Sequence, residues 1–561
     1  MRQTACLALL GLALAQAAAA QSPQQFLPRE PDTRANPARE VTPPKPQAPV
    51  APVVAPARGV FVLRRVVLDG ASAVPSAELA PIWADLIGQK ITLATLDKVA
   101  SGISAAYRAR GYVLSQAAVP NQAVTDGTVH IQVIEGFIDR VGVQGGAPNQ
   151  QAFARQLFGP VAADRPLAIG TLERAVLLSR DTFGGEVETV LEPAPATFGA
   201  ADLTVEMTPD PWRGFATADN RGSRLYADGV TASAGASAFN LLGLNEQIDL
   251  LVSGAPDGSL GYGQIRMETP IAGLIGTRLD GARLVLEGDT SRADPDLAKS
   301  GSPQDLDVIT HQSDLRAGIF VPFIRSRSQN LFGRLSLDWQ DSESDTDFAG
   351  VSEPSTDKLT VLEARVSWDL ADAFGGVNQV DATLRQGLPG QSSIGAGGPA
   401  AGQANFTSLA LTLSRLQHLG DGPWSLYAEA IGQFASTILP NSERFALGDA
   451  TIGRGFAPGN TTGDSGYGGR LELRRALSLT SGPRAVELYA YGDYGSAYDR
   501  SLARDGERWE SLGSAGIGAQ IDLADWLTIT PEIAQQLVGT ATDTTNTAHQ
   551  TRFYIGAIAR F

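Results

Sequence analysis

The chain has 561 residues, enough for several domains. Its formal net charge of −16 excludes nucleic acid as a partner, because phosphate backbones call for a basic face. With 61 glycines and only 19% charged residues, it fits neither a disordered chain nor a helical membrane protein.

The chain opens on Arg2, an apolar run from about Ala5 to Ala15, and Ala18-Ala19-Ala20 before Gln21. This is the pattern of a secretory signal over residues 1–20, too short to span a bilayer as a helix. Cys6, the sole cysteine, leaves with the signal, so the mature chain has no disulfides, thiolate metal sites or cysteine nucleophiles. No later stretch has the length and apolarity of a membrane helix, which leaves a secreted, periplasmic or β-barrel protein. Residues 21–58 form a Pro-rich linker whose prolines favour extended polyproline conformations. They also interrupt Gln24–Arg39, the one segment that could supply an N-terminal helix.

Residues 59–137 read as β-α-α-β-β. Phe61–Leu68 is an apolar, β-branched run, and Leu79, Ile82, Trp83, Leu86 and Ile87 fall at helical spacing. A second helix opens at Thr92, turns Leu96, Val99, Ala100, Ile103 and Tyr107 inward, and stops at Gly111. Strands over Tyr112–Val119 and Thr128–Ile134 join around Asp126-Gly127, with His130 on an exposed strand face. The pattern repeats across residues 138–210. A strand lies near Ile138–Val143, helices carry Phe153, Leu157 and Phe158 and then Leu172–Ser179, and strands fall near Val187–Leu191 and Leu203–Met207. Each unit is a small sheet backed by helices, with a strand edge able to accept a further strand.

From residue 211 to 561 the helical period gives way to alternation. Leu335, Leu337 and Trp339 alternate with Arg334, Ser336, Asp338 and Gln340, and Leu362, Ala364, Val366 and Trp368 with Glu363, Arg365, Ser367 and Asp369. Charges on one face and aliphatics on the other fit a membrane barrel with a wet interior, although a soluble β-sandwich would also alternate. The ending Phe553, Ile555, Ala557, Ala559, Phe561 favours the barrel, because its terminal aromatic resembles the sorting signal of outer-membrane barrels.

Arg454 stands between Gly453 and Gly455, where the backbone can turn and push a guanidinium into a confined space. Such a charge needs a carboxylate, and Asp493, in the strand-like Tyr491-Gly492-Asp493-Tyr494-Gly495, is the expected partner. Together Gly448-x-x-x-x-Gly453-Arg454-Gly455-Phe456, Gly463-Asp464-Ser465-Gly466 and Tyr491-x-Asp493-x-Gly495 resemble the signature of two-partner secretion transporters. These are the TpsB proteins (ShlB/FhaC/HecB type) of the BamA-related superfamily. In that family an Arg-Gly-aromatic tip on the sixth extracellular loop folds into the barrel and meets the aromatic-x-Asp-x-Gly motif. Here Gly453 stands for the usual Val and Phe456 for the commoner Tyr. Gly111-Tyr112-x-x-Ser115-x-Ala117-x-Val119-Pro120 through Glu135-Gly136 resembles the family's first POTRA domain.

The resemblance implies an α+β pair of periplasmic POTRA domains followed by an all-β outer-membrane barrel of sixteen antiparallel strands. It also implies export of an unfolded TpsA-type exoprotein, a haemolysin or adhesin, caught by the POTRA domains. Outer-membrane lipid and the barrel assembly machinery are the further partners, with the chain a monomer. A BamA-type insertase and a passive diffusion porin are the alternatives. The sequence offers no enzyme, cofactor or metal motif. Gly463-Asp464-Ser465-Gly466 looks like a serine-protease loop, but His311, His418 and His549 are isolated, and Gly395-Ala396-Gly397-Gly398 follows no strand-to-helix pattern.

Overall fold

The computed structural model describes residues 60–561 apart from 125, 275, 278, 392–401, 480–481, 502–508 and 547. The expected signal segment, the Pro-rich linker with Gln24–Arg39, and Gly395–Gly398 lie outside the described residues.

In the first N-terminal module the apolar run Phe61–Leu68 is not one strand. Phe61–Val62 pairs with Lys90–Ile91, while Arg65–Asp69 runs parallel to Thr128–Ile134. The third strand contracts from the expected Tyr112–Val119 to Gln116–Ala118. The first expected helix is also broken. Ser76–Leu79 is a single α-turn, followed by 3-10 turns at Ala80–Ile82 and Ala84–Leu86. Pro81 has no amide to continue the ladder, so the chain tightens instead. Leu79 and Trp83 still reach the core, whereas Ile87 is exposed. The helix Leu93–Ala109 follows its predicted face, burying Leu96, Val99, Ala100, Ile103 and Tyr107. His130 is exposed on its strand, with its Nδ1 2.8 Å from an Asp69 carboxylate oxygen.

Glu135 closes this module. Its carboxylate accepts the Ser72 and Ala73 amides and the Tyr107 hydroxyl, each at 2.7 Å. Burial alone would raise its pKa, but these bonds outweigh burial and hold it below the usual carboxylate value.

The second module repeats the scheme: Phe137–Gln144, helices Pro148–Leu157, Gly159–Ala163 and Ile169–Phe183, then Glu186–Pro193 and Ala200–Thr208. Phe137–Gln144 lies parallel to Ala200–Thr208, which also pairs with Glu186–Pro193. Only Glu135 and Gly136 separate the modules' strands. The Leu167 amide bonds the Gly136 carbonyl at 2.9 Å and the Ile169 amide bonds the Gly111 carbonyl at 2.8 Å, so the pair is stitched through backbone.

From Trp212 onward sixteen strands, counted among the described residues, close into one antiparallel barrel. The first, Trp212–Asp219, pairs with the last, Thr551–Arg560, and Phe561 exchanges two backbone bonds with Gly214 at 2.8 and 2.9 Å. Alternation is as the sequence predicts: Leu335 and Trp339 face outward, exposed, and Ser336, Asp338 and Gln340 face inward, buried. Leu306–Arg325, Gln329–Phe348 and Val351–Ala371 are 20, 20 and 21 residues long, about twice what a membrane strand needs. Among the described residues no helix is long and apolar enough to cross a membrane.

The helix Ile169–Phe183 seats the second module on the near rim of the barrel. Asp181 takes Arg325 in a two-pronged pair at 2.8 and 2.9 Å, Glu173 takes Arg327 at 2.8 Å, and Arg174 bonds the carbonyls of Asp280 and Pro322.

Candidate functional site: a loop folded into the barrel

The chain between Trp424–Ala435 and Ser465–Leu477 does not stay outside the barrel. A short hairpin, Phe445–Leu447 against Thr461–Gly463, carries a tip whose residues 451–461 are all buried. Asp449 accepts the Ile452 amide at 3.0 Å, and the Phe456 amide turns back to the Gly453 carbonyl at 2.8 Å. Gly453 has φ +82°, a conformation that strains side-chain-bearing residues. Phe456 packs with Leu447, Ile452 and Leu512 in a small apolar cluster.

The tip rests on the strand Ala485–Tyr498, whose Tyr489, Tyr491, Asp493 and Gly495 alternate inward. Asp493 accepts the Gly453 amide at 2.9 Å, the Arg454 amide at 3.2 Å and the Ser514 amide at 3.0 Å, and Ser514 adds its hydroxyl. Gly455 is held from both sides, its amide by the Ser514 hydroxyl at 3.1 Å and its carbonyl by the Gln536 amide at 2.8 Å. Gly495 is a glycine because the tip leans on it: a Cβ there would lie 2.8 Å from a Leu447 methyl.

The guanidinium of Arg454 goes elsewhere, and this corrects the expected pair. It runs over the Tyr491 ring, 4.2 Å from its centroid, to Glu472 at 2.8 Å and to Glu532. Asp493 is already filled by amides and a hydroxyl, and it stands level with the Arg454 backbone. The side chain extends past it along the strand, toward Tyr491 and Tyr489. Glu532 also takes Arg221 at 2.8 Å and the hydroxyls of Tyr489 and Tyr491 at 2.8 and 3.0 Å. Glu472 also pairs with Arg474 at 2.6 Å. Asp493 thus fixes the loop's backbone, and Glu532 with Glu472 fixes its charge.

Glu472 and Glu532 escape the sequence reading. Each is a lone acid on an alternating strand, which places it inward, but sequence alone does not give the depth at which it meets the loop. Asp464 of the protease-like run is fully buried and accepts the Leu439 and Arg500 amides, both at 2.7 Å. It ties loops together and stands in no serine–histidine arrangement among the described residues.

A second set of charges crosses another arc of the inner wall. Glu443, on the loop's descending limb, meets Arg385, which also meets Glu363 and Asp338. Asp338 pairs with Arg316 at 2.9 Å, and Arg316 with Glu287, which also takes Arg334 and Arg266. Arg266 pairs with Glu268, Glu268 with Arg283 at 3.2 Å, and Arg283 reaches the Thr182 hydroxyl of the second module at 3.5 Å.

Comparison with known proteins agrees with this geometry. Residues 61–136 match the POTRA domain, ShlB-type, and residues 287–521 match the haemolysin secretion/activation protein ShlB/FhaC/HecB. The heme/hemopexin transporter protein HuxB of Haemophilus influenzae (strain 86-028NP) is 24% identical over 469 residues, 82% of this chain and 80% of its own. The outer membrane transporter CdiB of Escherichia coli O6:K15:H31 is 31% identical over 85 residues, 15% of this chain and 14% of its own. Among solved structures, CdiB from Escherichia coli aligns over 98% of both chains with a TM-score of 0.72 at 19% identity. BamA from Haemophilus ducreyi lacking POTRA domains 1–3 aligns over 90% of this chain and 100% of its own, with a TM-score of 0.54 at 14% identity.

Proposed function

The chain belongs to the ShlB/FhaC/HecB family of two-partner secretion transporters, and on that premise we propose that it exports one large unfolded exoprotein of the TpsA type. Its barrel lies in the outer membrane with the POTRA modules in the periplasm. The cargo's secretion domain adds as an extended strand to an edge of a module sheet, where Arg65–Asp69, Gln116–Ala118, Phe137–Gln144 and Glu186–Pro193 are the outer strands. The chain then leaves through the lumen, folding outside and so drawing the rest after it. The assigned parts are a leader at 1–20, a linker at 21–58, modules at 59–137 and 138–210, and the pore from 211, assembled by the barrel assembly machinery and working as a monomer.

One observation carries this reading: the tip of residues 453–456 is seated on Asp493 inside the barrel. A diffusion porin has no use for a periplasmic module seated on its rim through Asp181–Arg325 and Glu173–Arg327. Deleting the gene in its host should leave one large TpsA-type exoprotein in the periplasm and empty the medium of it. Normal secretion by the deletion strain, or a general loss of unrelated outer-membrane barrels, would replace export by the insertase reading.

A further inference from the structure

We infer that Arg385 is a second positioning residue for the lumen loop, holding its descending limb through Glu443 independently of the tip. The inference rests on the proposed export function, in which the cargo shares the lumen with this loop and the loop's position therefore governs export. Glu443 ends the short turn Asn441–Glu443, eleven residues before the tip arginine, and its side chain is only 4% exposed. Arg385 approaches it with the fork geometry suited to a carboxylate: Nε donates to Oε2 at 2.7 Å and Nη2 to Oε1 at 2.9 Å. Gln340 adds a third bond to Oε1 at 3.0 Å, and the Ser442 hydroxyl returns one to Gln340 at 3.1 Å.

The receptor exists without the loop. Glu363 and Asp338, both on the wall, pair with the same guanidinium, Glu363 at Nη1 and Asp338 at Nη2, 3.2 Å away, so the fork is aimed before Glu443 arrives. None of these groups touches the tip's partners. Glu443 binds the arc formed by Gln329–Phe348, Val351–Ala371 and Gly376–Gly387, whereas the tip binds the arc from Ser465–Leu477 to Leu527–Val538. A loop pinned on two separate arcs cannot pivot about either pin. Releasing the limb leaves the tip seated, and releasing the tip leaves the limb seated.

The test is hydrogen exchange on the full-length protein in detergent micelles, comparing Glu443→Ala, Glu443→Gln and Arg454→Ala. Glu443→Ala should speed exchange at the amides of 444–447 by about tenfold while those of 453–455 change by less than about twofold. Glu443→Gln, which keeps an acceptor oxygen but no charge, should fall between it and the wild type. Arg454→Ala should show the converse pattern, and all three should remain heat-modifiable barrels. Unchanged exchange at 444–447 in Glu443→Ala, or equal loosening of limb and tip in either variant, overturns the second anchor. Secretion measured on the same variants separates the two readings: a loosened limb with wild-type secretion upholds the anchor and defeats the claim that loop position governs export.

Discussion

Asp493→Ala should unseat the tip more than Arg454→Ala, although the arginine bears the charge. Removing the Asp493 side chain leaves three amides, those of Gly453, Arg454 and Ser514, without their acceptor. A buried donor left unmatched costs about 1–3 kcal/mol, and lumen water will rescue part of that, so the loss should be roughly 3–5 kcal/mol. Removing the Arg454 side chain strands neither acid, since Glu532 keeps Arg221 and two tyrosine hydroxyls and Glu472 keeps Arg474. What goes is a pair of charge-assisted bonds and two ring contacts, and lumen water entering the vacated space rehydrates both acids, so the loss should be about 2–3 kcal/mol. Hydrogen exchange at Gly453 and Gly455 in the full-length protein reads the seating directly, with secretion measured alongside. Arg454→Ala paired with Glu532→Gln should be non-additive by about 1 kcal/mol, as expected of residues in one contact. Exchange at Gly453 that rises as far in Arg454→Ala as in Asp493→Ala would refute the division of labour between backbone and charge.

Three other outcomes are expected. Gly495→Val should lift Leu447 and cost about 1–3 kcal/mol of loop seating by overpacking, seen as faster exchange across Phe445–Leu447 in a barrel that still forms. Glu135→Gln should loosen the first module, seen as faster exchange across Thr128–Ile134. Because the carboxyl pKa is depressed in the fold, its contribution is complete above the ordinary glutamate value of about 4.3 and is lost as pH falls through the lower folded value, so the wild-type and Gln proteins should converge there. Asp181→Ala should leave Arg325 without its carboxylate and widen the distance distribution between spin labels on the second module and the near rim, while Asp202→Ala, which removes an exposed pair with Arg140, should not.

The barrel was legible because its face alternation is local: Leu335 and Asp338 declare outside and inside through their own neighbours. The tip was legible because Gly453-Arg454-Gly455 is an unusual local choice, and Asp493 because it stands in a strand of small residues. Arg454's true partners were not, since Glu472 and Glu532 meet it through the register of four adjacent strands, a property of the sheet rather than of any segment. The helix expected over Leu79–Ile87 failed for a local reason that the sequence did contain. Pro81 breaks the ladder while leaving Leu79 and Trp83 at the core. The strand at Phe61–Leu68 divided because two different partners, Lys90–Ile91 and Thr128–Ile134, claim its two ends.

The ion pairs running from Glu443 to Arg283 comprise five carboxylates (Glu268, Glu287, Asp338, Glu363, Glu443) and five guanidiniums (Arg266, Arg283, Arg316, Arg334, Arg385), so their formal charges sum to zero. A polypeptide in transit finds little to grip on such a surface, because each charge already faces an opposite one. An extended chain sliding past it meets a shallow, even landscape instead of a row of traps, whether its own residues are acidic or basic. Friction should therefore depend little on cargo composition. Taking away Arg385 would do more than weaken the wall: it would leave Glu363 and Glu443 without their arginine, acids that hold passing lysines, and the pore would slow most for basic cargo.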